Sequence, residues 1–381
     1  MRRVFWASFS LLAWTYVGFP VVVLIRARLA PRPYSRANIS PPVSVLIAVH
    51  NEVQMILERL ENLASLEYPS GQIEIIVASD GSDDGTDEVV ELRAAVDPRV
   101  RLLSLPRSGK NSVLNAAAAA AAGEILIFSD ANTTFATDAM QALLRPFADP
   151  SVGCVAGRQK YTHHGEAPGE RAYWNLDQLL KIAETAAGSA VSATGAIYAV
   201  RSHLYAPIPD GVTDDFAIST SVILQGYRLV FAPDAIAYER VAPSLAEEYA
   251  RKVRVATGGL LAVGLRRALL NPFRFKFYAV EVLSHKVLRR LMAPPLLGLL
   301  VGSVALRRRS VVYSTAANVQ TTFYALAIAG SIAARTRLGR LPILSLPAYF
   351  CVANIATLHA LANILRGRRI GRWTPVRELV E

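Results

Sequence analysis

Apolar residues in this chain fall into short runs and long ones, and the two predict different surroundings. The short runs are VSVLIAV (Val43–Val49), IEIIVAS (residues 73–79), VRLLSL (100–105) and ILIFS (125–129). Polar corners separate them, with stretches of helical periodicity such as residues 52–63 and 112–122 in between. A run that is apolar without alternation reads as a strand buried on both faces, so this order predicts a Rossmann-like α/β domain whose sheet carries helices on both faces. DGSDDGT (residues 80–86) is loop chemistry in which Asp83 or Asp84 can cap the helix running through Arg93. The alanine-rich helix at 112–122 is expected to stop at Gly123. Farther on, residues 194–205 predict a strand returning into a helix start, and residues 211–239 a loop, a helix and a strand.

The long runs predict membrane helices. Residues 5–25 hold about 20 positions without a charge, enough to cross a hydrocarbon core of ~30 Å. Residues 287–306, 311–334 and 343–365 repeat the pattern, and Pro294-Pro295 predicts that the first of these is broken or re-entrant. The chain thus divides into an anchor (1–28), a basic Pro-rich linker (29–42), a water-soluble domain (43–260), a juxtamembrane segment (261–286), about three C-terminal membrane helices (287–365) and a basic tail (366–381). A basic start before an apolar run also suits a signal peptide, but the length of the run, its Trp6, Trp14 and Tyr16, and the lack of a small-residue cleavage site favour an anchor. Arg26, Arg28, Arg32 and Arg36 follow the run against two arginines before it. A multi-pass cell-membrane protein with its central domain in the cytoplasm is therefore expected. Were all three late segments to span, Arg307-Arg308-Arg309 and the arginines at 366–372 would land on the outer side, so the C-terminal topology stays open.

Composition sharpens this division. Of the 381 residues 52% are hydrophobic, more than an ordinary soluble domain carries. The net charge of +11 sits beside the apolar segments, which suits anionic lipid headgroups as partners and not nucleic acid. Cys154 and Cys351 lie far apart, without metal-ligand spacing.

Candidate chemistry gathers where the strands end: His50-Asn51-Glu52 after the first, Asp80 after the second, Asp130 and Asn132 after the fourth. Sheets of this kind bind ligands beyond the carboxyl ends of their strands, so these groups share one rim. No glycine-rich phosphate loop follows the first strand, which disfavours dinucleotide enzymes, P-loop kinases and sugar-nucleotidyltransferases. A nucleotide at this rim would need its diphosphate neutralised by a divalent cation or by basic side chains, and Asp130 and Asn132, two apart on an extended segment, present oxygen to a hard cation. Asp214-Asp215 opens a helix, where acidic residues favour the dipole; a carboxylate there equally serves as general base toward a hydroxyl. Other conspicuous groups have plainer explanations. His163-His164 face opposite ways on an extended segment, Trp174 and Asp177 suit packing of a helix over 172–187, and the alanines at 116–122 suit close helix–sheet contact.

Five motifs, VSVLIAVHNE, IIVASDGSDDGT, GKNSVLN, FSDAN and VTDDFAIS, in this order and spacing, resemble the family 2 glycosyltransferases over residues 40–260. RKVRVATGG (251–259) is similar to the Q-x-x-R-W region of membrane polysaccharide synthases such as those for cellulose, hyaluronan and chitin. The resemblance implies an inverting enzyme of GT-A fold with a mixed sheet. It would use a nucleotide-diphosphate sugar, a UDP-sugar first, with Mg2+ or Mn2+, toward a lipid-linked or glycan acceptor, in company with polysaccharide-assembly proteins. It further implies that Asn51, Glu52 and Asp80 hold base and ribose, and that Lys110 and Asn115 line the nucleotide pocket. Asp130 and Asn132 would occupy the metal-binding D-x-D motif, Asp215 the place of the base with Asp214 beside it, and Arg254 the arginine that steadies the leaving diphosphate. Three positions depart from the family pattern: Asn132 where Asp is common, and Arg251 and Val255 where Gln and Trp stand. The missing Trp weighs against processive synthesis. The alternative class is an inactive homologue serving as a scaffold, against which stands the joint presence of Lys110, Asp130, Asp215 and Arg254.

Overall fold

The computed structural model describes residues 1–161, 168–239, 245–334 and 336–367; His163-His164 and the basic tail beyond residue 367 lie outside them. Eight strands form one mixed sheet among the described residues: β1 (Val43–Val49), β2 (Ile73–Asp80), β3 (Val100–Leu105), β4 (Ile125–Asp130), β5 (Thr133–Phe135), β6 (Val152–Tyr161), β7 (Tyr198–Arg201) and β8 (Arg228–Glu239). Their spatial order is β3-β2-β1-β4-β7-β6-β8-β5. The first four neighbours run parallel, β7 runs antiparallel to both β4 and β6, and β8 returns parallel to β6. The chain leaves β1 toward β2 on one side and comes back to β4 on the other, so a crevice opens at the carboxyl ends of β1 and β4.

Burial on both faces is what makes these strands continuously apolar. Val43, Val45, Ile47 and Val49 of β1 pack with Ile56, Leu60 and Leu63 of the helix Val53–Ala64, while Leu46 and Ala48 face Val113, Leu114 and Ala117 of the helix Lys110–Ala120 and Ile218 and Val222 of the helix Asp214–Leu224. The alanines lie where the sequence pattern put them, but the helix begins two residues earlier and ends at Ala120, with Ala121 already extended. Gly123 does not cap it. A Cβ at Gly123 would stand 2.5 Å from the Ser44 nitrogen, so this glycine is required by the close approach of the chain to β1. Likewise neither Asp83 nor Asp84 is the N-cap of the helix Thr86–Val96, a place taken by Gly85 in the left-handed region. Asp84 instead accepts from the backbone N–H of both Thr86 (3.0 Å) and Val53 (3.1 Å), joining two helix starts.

β6 escaped the sequence pattern because small residues interrupt it. Gly153 and Gly157 sit against Leu204, Tyr227 and the carbonyl of Ala235, and the β6–β8 register slips beside each of them.

Among the described residues two helices are long and apolar enough to cross a membrane, Arg2–Leu29 and Pro342–Leu365. Phe277–Leu291 and Ala293–Leu306 together also qualify but bend by 59°, with Pro294-Pro295 in the first turn after the break, as expected for a broken span. Val311–Ile332, within the third long apolar run, is a 22-residue helix whose Asn318, Gln320, Thr321 and Thr322 make it less apolar than those. Small residues draw the ends of the chain together: a Cβ on Gly302 would lie 3.0 Å from that of Phe5, and one on Gly298 2.6 Å from the Ser8 Oγ. The Trp14 indole donates to Ser284 Oγ at 3.0 Å. The linker is strapped to the domain, with Arg32 N–H donating to the Ala186 carbonyl (2.7 Å) and the Arg228 guanidinium to the carbonyls of Arg32 (2.8 Å) and Pro33 (3.0 Å).

Candidate active site

The crevice is built first by backbone. Two residues past the end of β1 stands Asn51, whose φ of 54° is a left-handed conformation that Asn tolerates better than most residues. Its carboxamide oxygen accepts from Asp83 N–H at 3.1 Å, and its own N–H donates to Ser82 Oγ at 3.2 Å. Glu52 N–H donates to Thr86 Oγ1 at 2.9 Å, so the loops after β1 and β2 form one wall. Asp80 is fully buried at the end of β2. Both its oxygens are committed: Oδ1 accepts from Ser108 N–H (2.5 Å) and Gly109 N–H (2.9 Å), and Oδ2 from Arg107 (2.8 Å). A nucleotide contact by Asp80 would have to displace these donors; in this structure the carboxylate shapes the loop that delivers Lys110.

Lys110 then joins two strand ends. Its ammonium lies 2.7 Å from Asp130 Oδ1 and 3.4 Å from Asp214 Oδ2. Burial works against the ammonium charge, but Asp130 and Asp214 outweigh it and hold the group above its usual range. Asn115, expected to line the pocket, clamps a neighbouring loop in this structure. Its NH2 donates to the Ile208 carbonyl (2.8 Å), and its oxygen accepts from Tyr205 OH (2.7 Å) and Ile208 N–H (3.0 Å). Together with Asn111, which holds the carbonyls of Pro209 and Val212, it fixes the approach to Asp214.

Asp214 and Asp215 begin the helix Asp214–Leu224. Tyr198 OH donates to Asp214 Oδ2 at 3.4 Å, while Asp215 Oδ1 accepts from the Phe216 N–H at 2.7 Å. Burial and then the Asp214 charge raise the Asp215 carboxyl above the usual range, with Lys286 and Lys110 opposing. The helix Leu245–Leu265 closes this side. Thr213 N–H reaches the Gly258 carbonyl, and a Cβ on Gly258 would come within 3.3 Å of the Thr213 nitrogen, so the glycine lets the helix rest on the aspartate turn. Arg254 on this helix is pushed below its usual range by burial, against the attraction of Asp130, Asp214 and Glu239. Arg254, Asp130, Asp214 and Lys110 therefore share one field, as their places in the sequence predicted. Val255, where a Trp was the alternative, is exposed.

Several participants gave no sequence signal. Glu239, the last residue of β8, accepts from Gln159 Nε2. Burial first, then Asp130 and Glu248, push its carboxyl up to about 7, opposed by Arg251. Arg251 donates to Glu248 (2.8 Å) and to Tyr161 OH (2.8 Å). Beneath β4 the buried Arg59 donates to Ser129 Oγ (2.9 Å) and Asn62 Oδ1 (2.7 Å), and burial lowers its guanidinium to about 9. Trp174 and Asp177 belong to the helix Pro168–Ala187: Trp174 stacks edge-on with Tyr161, and Asp177 pairs with Lys181, His285 and Arg289 in the packing toward the membrane helices.

Among the described residues no group of three or more His, Cys, Asp or Glu forms a ready metal cage. Asp130 and Asn132 offer one carboxylate and one carboxamide at the mouth of the crevice. That set fits a hard cation taking the rest of its shell from phosphate and water.

The profile of glycosyl transferase family 2 matches residues 44–202, and that of glycosyl transferase family group 2 matches residues 125–358, more than half the chain. The chain is 26% identical over 243 residues to the poly-beta-1,6-N-acetyl-D-glucosamine synthase of Staphylococcus aureus strain COL, covering 62% of this chain and 58% of that one. It is 27% identical over 226 residues to the synthase of the same name from Staphylococcus epidermidis, covering 57% and 54%. The matched stretch thus spans little more than half the length of these relatives. Among solved structures, the mannosyltransferase PcManGT from Pyrobaculum calidifontis, in complex with GDP-Man and Mn2+, superposes with a TM-score of 0.69 at 24% identity. That match covers 93% of this chain and 99% of the other, and it shows a common GT-A fold.

Proposed function

The chain belongs to glycosyl transferase family group 2 and is a glycosyltransferase, and from that premise we propose that it is a membrane-embedded inverting enzyme that moves a sugar from a nucleotide-diphosphate donor to a lipid-linked or glycan acceptor. The observation that carries the proposal is Lys110 standing between Asp130 and Asp214, with Arg254 in the same field. One site thereby holds cations for a diphosphate and carboxylates for a hydroxyl.

In this reading the loops around Asn51, Glu52 and Asp80 receive the nucleoside. Asp215 accepts the proton of the acceptor hydroxyl as its oxygen forms the bond to the anomeric carbon. The bond from that carbon to the diphosphate breaks on the opposite face, and the nucleoside diphosphate leaves with its electron pair. Lys110 and Arg254 offset the charge that develops on the leaving group. Asp130 and Asn132 would hold Mg2+ or Mn2+, which supplies Lewis-acid stabilisation of the same diphosphate. The names of the relatives support a hexosamine or hexose as the sugar, and the GDP-Man and Mn2+ in the fold neighbour support a nucleotide-diphosphate carrier and a divalent cation. The exposed Val255 supports transfer of single sugars in place of processive synthesis. The arginines that follow the first membrane helix support a cytoplasmic catalytic domain of residues 43–260.

The test is transfer by the full chain in detergent, with a panel of UDP- and GDP-sugars and lipid-phosphate acceptors. Asp215→Asn should lower turnover by about 10²-fold or more, in line with loss of a general base, while nucleoside diphosphate affinity stays within twofold, about 0.4 kcal/mol. Undiminished turnover in that variant removes Asp215 from the role of base.

A further inference from the structure

Asp130 and Asn132 lie on the short turn between β4 and β5, and one helix holds both ends of that turn. Ser129 and Asp130 alternate across the sheet at the end of β4, so the Ser129 side chain faces the helix Val53–Ala64 while that of Asp130 faces Lys110. On the helix, Arg59 and Asn62 stand three apart on one face. The Arg59 guanidinium donates to Ser129 Oγ at 2.9 Å and to Asn62 Oδ1 at 2.7 Å. Asn62 closes on the far end of the turn: its Oδ1 accepts from Phe135 N–H at 2.8 Å, and its NH2 donates to the Phe135 carbonyl at 2.9 Å. The guanidinium also lies over the Phe135 ring, 4.1 Å from its centre. Ser129 Oγ carries the grip onward by donating to the Ala196 carbonyl at 3.1 Å, next to Gly195, where a Cβ would stand 3.4 Å from Asp130 Oδ2.

We infer that Arg59 is a positioning residue for the donor site: with Asn62 it clamps Ser129 and Phe135, and thereby fixes where Asp130 and Asn132 present their oxygens. This rests on the reading of those two residues as metal ligands. Arg59 is buried, and the groups that hold it, a hydroxyl, a carboxamide and a ring face, are all neutral. An apolar side chain would fill the same space without the cost of taking a charge out of water, so stability alone gives no reason for a guanidinium here. Its planar fork does what neither an apolar chain nor a point charge can, since N–H groups at a fixed angle tie the strand end to the helix. Ser129 keeps its bond to Ala196, and Asn62 its two bonds to Phe135, without Arg59, so removing the guanidinium leaves each of them with a partner.

The experiment is titration of Mn2+ into the full chain in detergent, alone and with UDP or GDP, following free Mn2+ by electron paramagnetic resonance, beside thermal unfolding of each variant. Arg59→Met, apolar and of similar reach, should weaken Mn2+ binding about tenfold or more, the scale for losing an outer partner of a metal site, while the thermal midpoint holds or rises. Ser129→Ala takes the strand end out of the clamp and should weaken binding as well. Because Arg59 acts through Ser129, the double variant should bind within about threefold of Arg59→Met alone, a coupling that independent sites do not show. Unchanged Mn2+ affinity in Arg59→Met overturns the inference, as does a double variant whose loss is the product of the two single losses. An affinity loss accompanied by a lowered midpoint makes Arg59 a stabilising residue only, and overturns it too. If Arg59→Met does not fold, Ser129→Ala, a change of one hydroxyl, carries the test, and unchanged affinity there has the same meaning. A parent protein that binds no Mn2+ in any of the three titrations overturns the metal reading itself, a result distinct from all of these.

Discussion

At the residue scale, the proposed base is governed by the charges that face it. The Asp215 carboxyl is raised by burial and by Asp214 and lowered by Lys286 and Lys110. A general base works unprotonated, so raising it moves the acid limb of the kcat/KM profile above the ~3.9 of an ordinary aspartate. Lys286→Met removes one opposing cation without touching the proposed ligands, and the limb should move to still higher pH. A limb that stays put or moves down would show that Asp215 is not the titrating base. Such couplings set a limit on what one sequence discloses. Asp130, Asp214 and Lys110 were legible because each stands at a strand end or helix start in a recognisable motif. Glu239, Tyr198 and Arg59 were not, because their importance comes from pairings such as Thr133 with Glu239, which no local pattern encodes. Asp80 and Asn115 were legible as polar residues at the rim, but only the hydrogen bonds show that both hold loops.

At the scale of elements, the same contrast separates β1, β2 and β4 from β6. Uninterrupted burial on both faces writes an apolar run that can be read directly. β6 carries glycines that admit neighbouring chains, and its interrupted pattern hides a central strand. Gly123 is the clearest case of a glycine whose meaning changes with structure: from sequence a helix stop, in space the point where the entry to β4 touches β1. Gly123→Ala would drive a methyl to 2.5 Å from the Ser44 nitrogen, against backbone that cannot yield cheaply. The expected loss is about 1–3 kcal/mol, the range for overpacking a well-packed site. Gly71→Ala meets nothing within 4 Å and serves as the control, with a change within about 0.5 kcal/mol. Thermal or denaturant unfolding of both variants reads the difference, and equal stabilities would mean that the β1–β4 approach relaxes freely.

At the scale of the whole molecule, the membrane helices and the catalytic domain have to be one body for a lipid-borne acceptor to meet the crevice. The chain achieves this by packing its apolar helices on the helices Pro168–Ala187 and Leu245–Leu265 and by strapping the linker to the sheet. Arg228, at the start of β8, donates to the carbonyls of Arg32, Pro33, Thr185 and Gly188 and lies over the Tyr34 ring at 5.6 Å. One side chain thus ties the segment after the first membrane helix to the sheet and to the helix Pro168–Ala187. Arg228→Ala removes several charge-assisted donors, those to Arg32 and Pro33 exposed and those to Thr185 and Gly188 part-buried, with a single such bond worth up to about 1.5–3 kcal/mol where water is excluded. The linker should then open on its own while the sheet stays folded, since local openings draw on local contacts. Trypsin reports this at Arg36–Ala37, a bond not protected by a following proline. Cleavage there should accelerate about tenfold or more, the equivalent of 1.4 kcal/mol in an opening equilibrium. The thermal midpoint of the catalytic domain should change little. Unaltered cleavage would mean that the linker is held elsewhere, by the Arg32–Ala186 backbone bond or by contact with lipid, and that Arg228 merely fills the space beneath it.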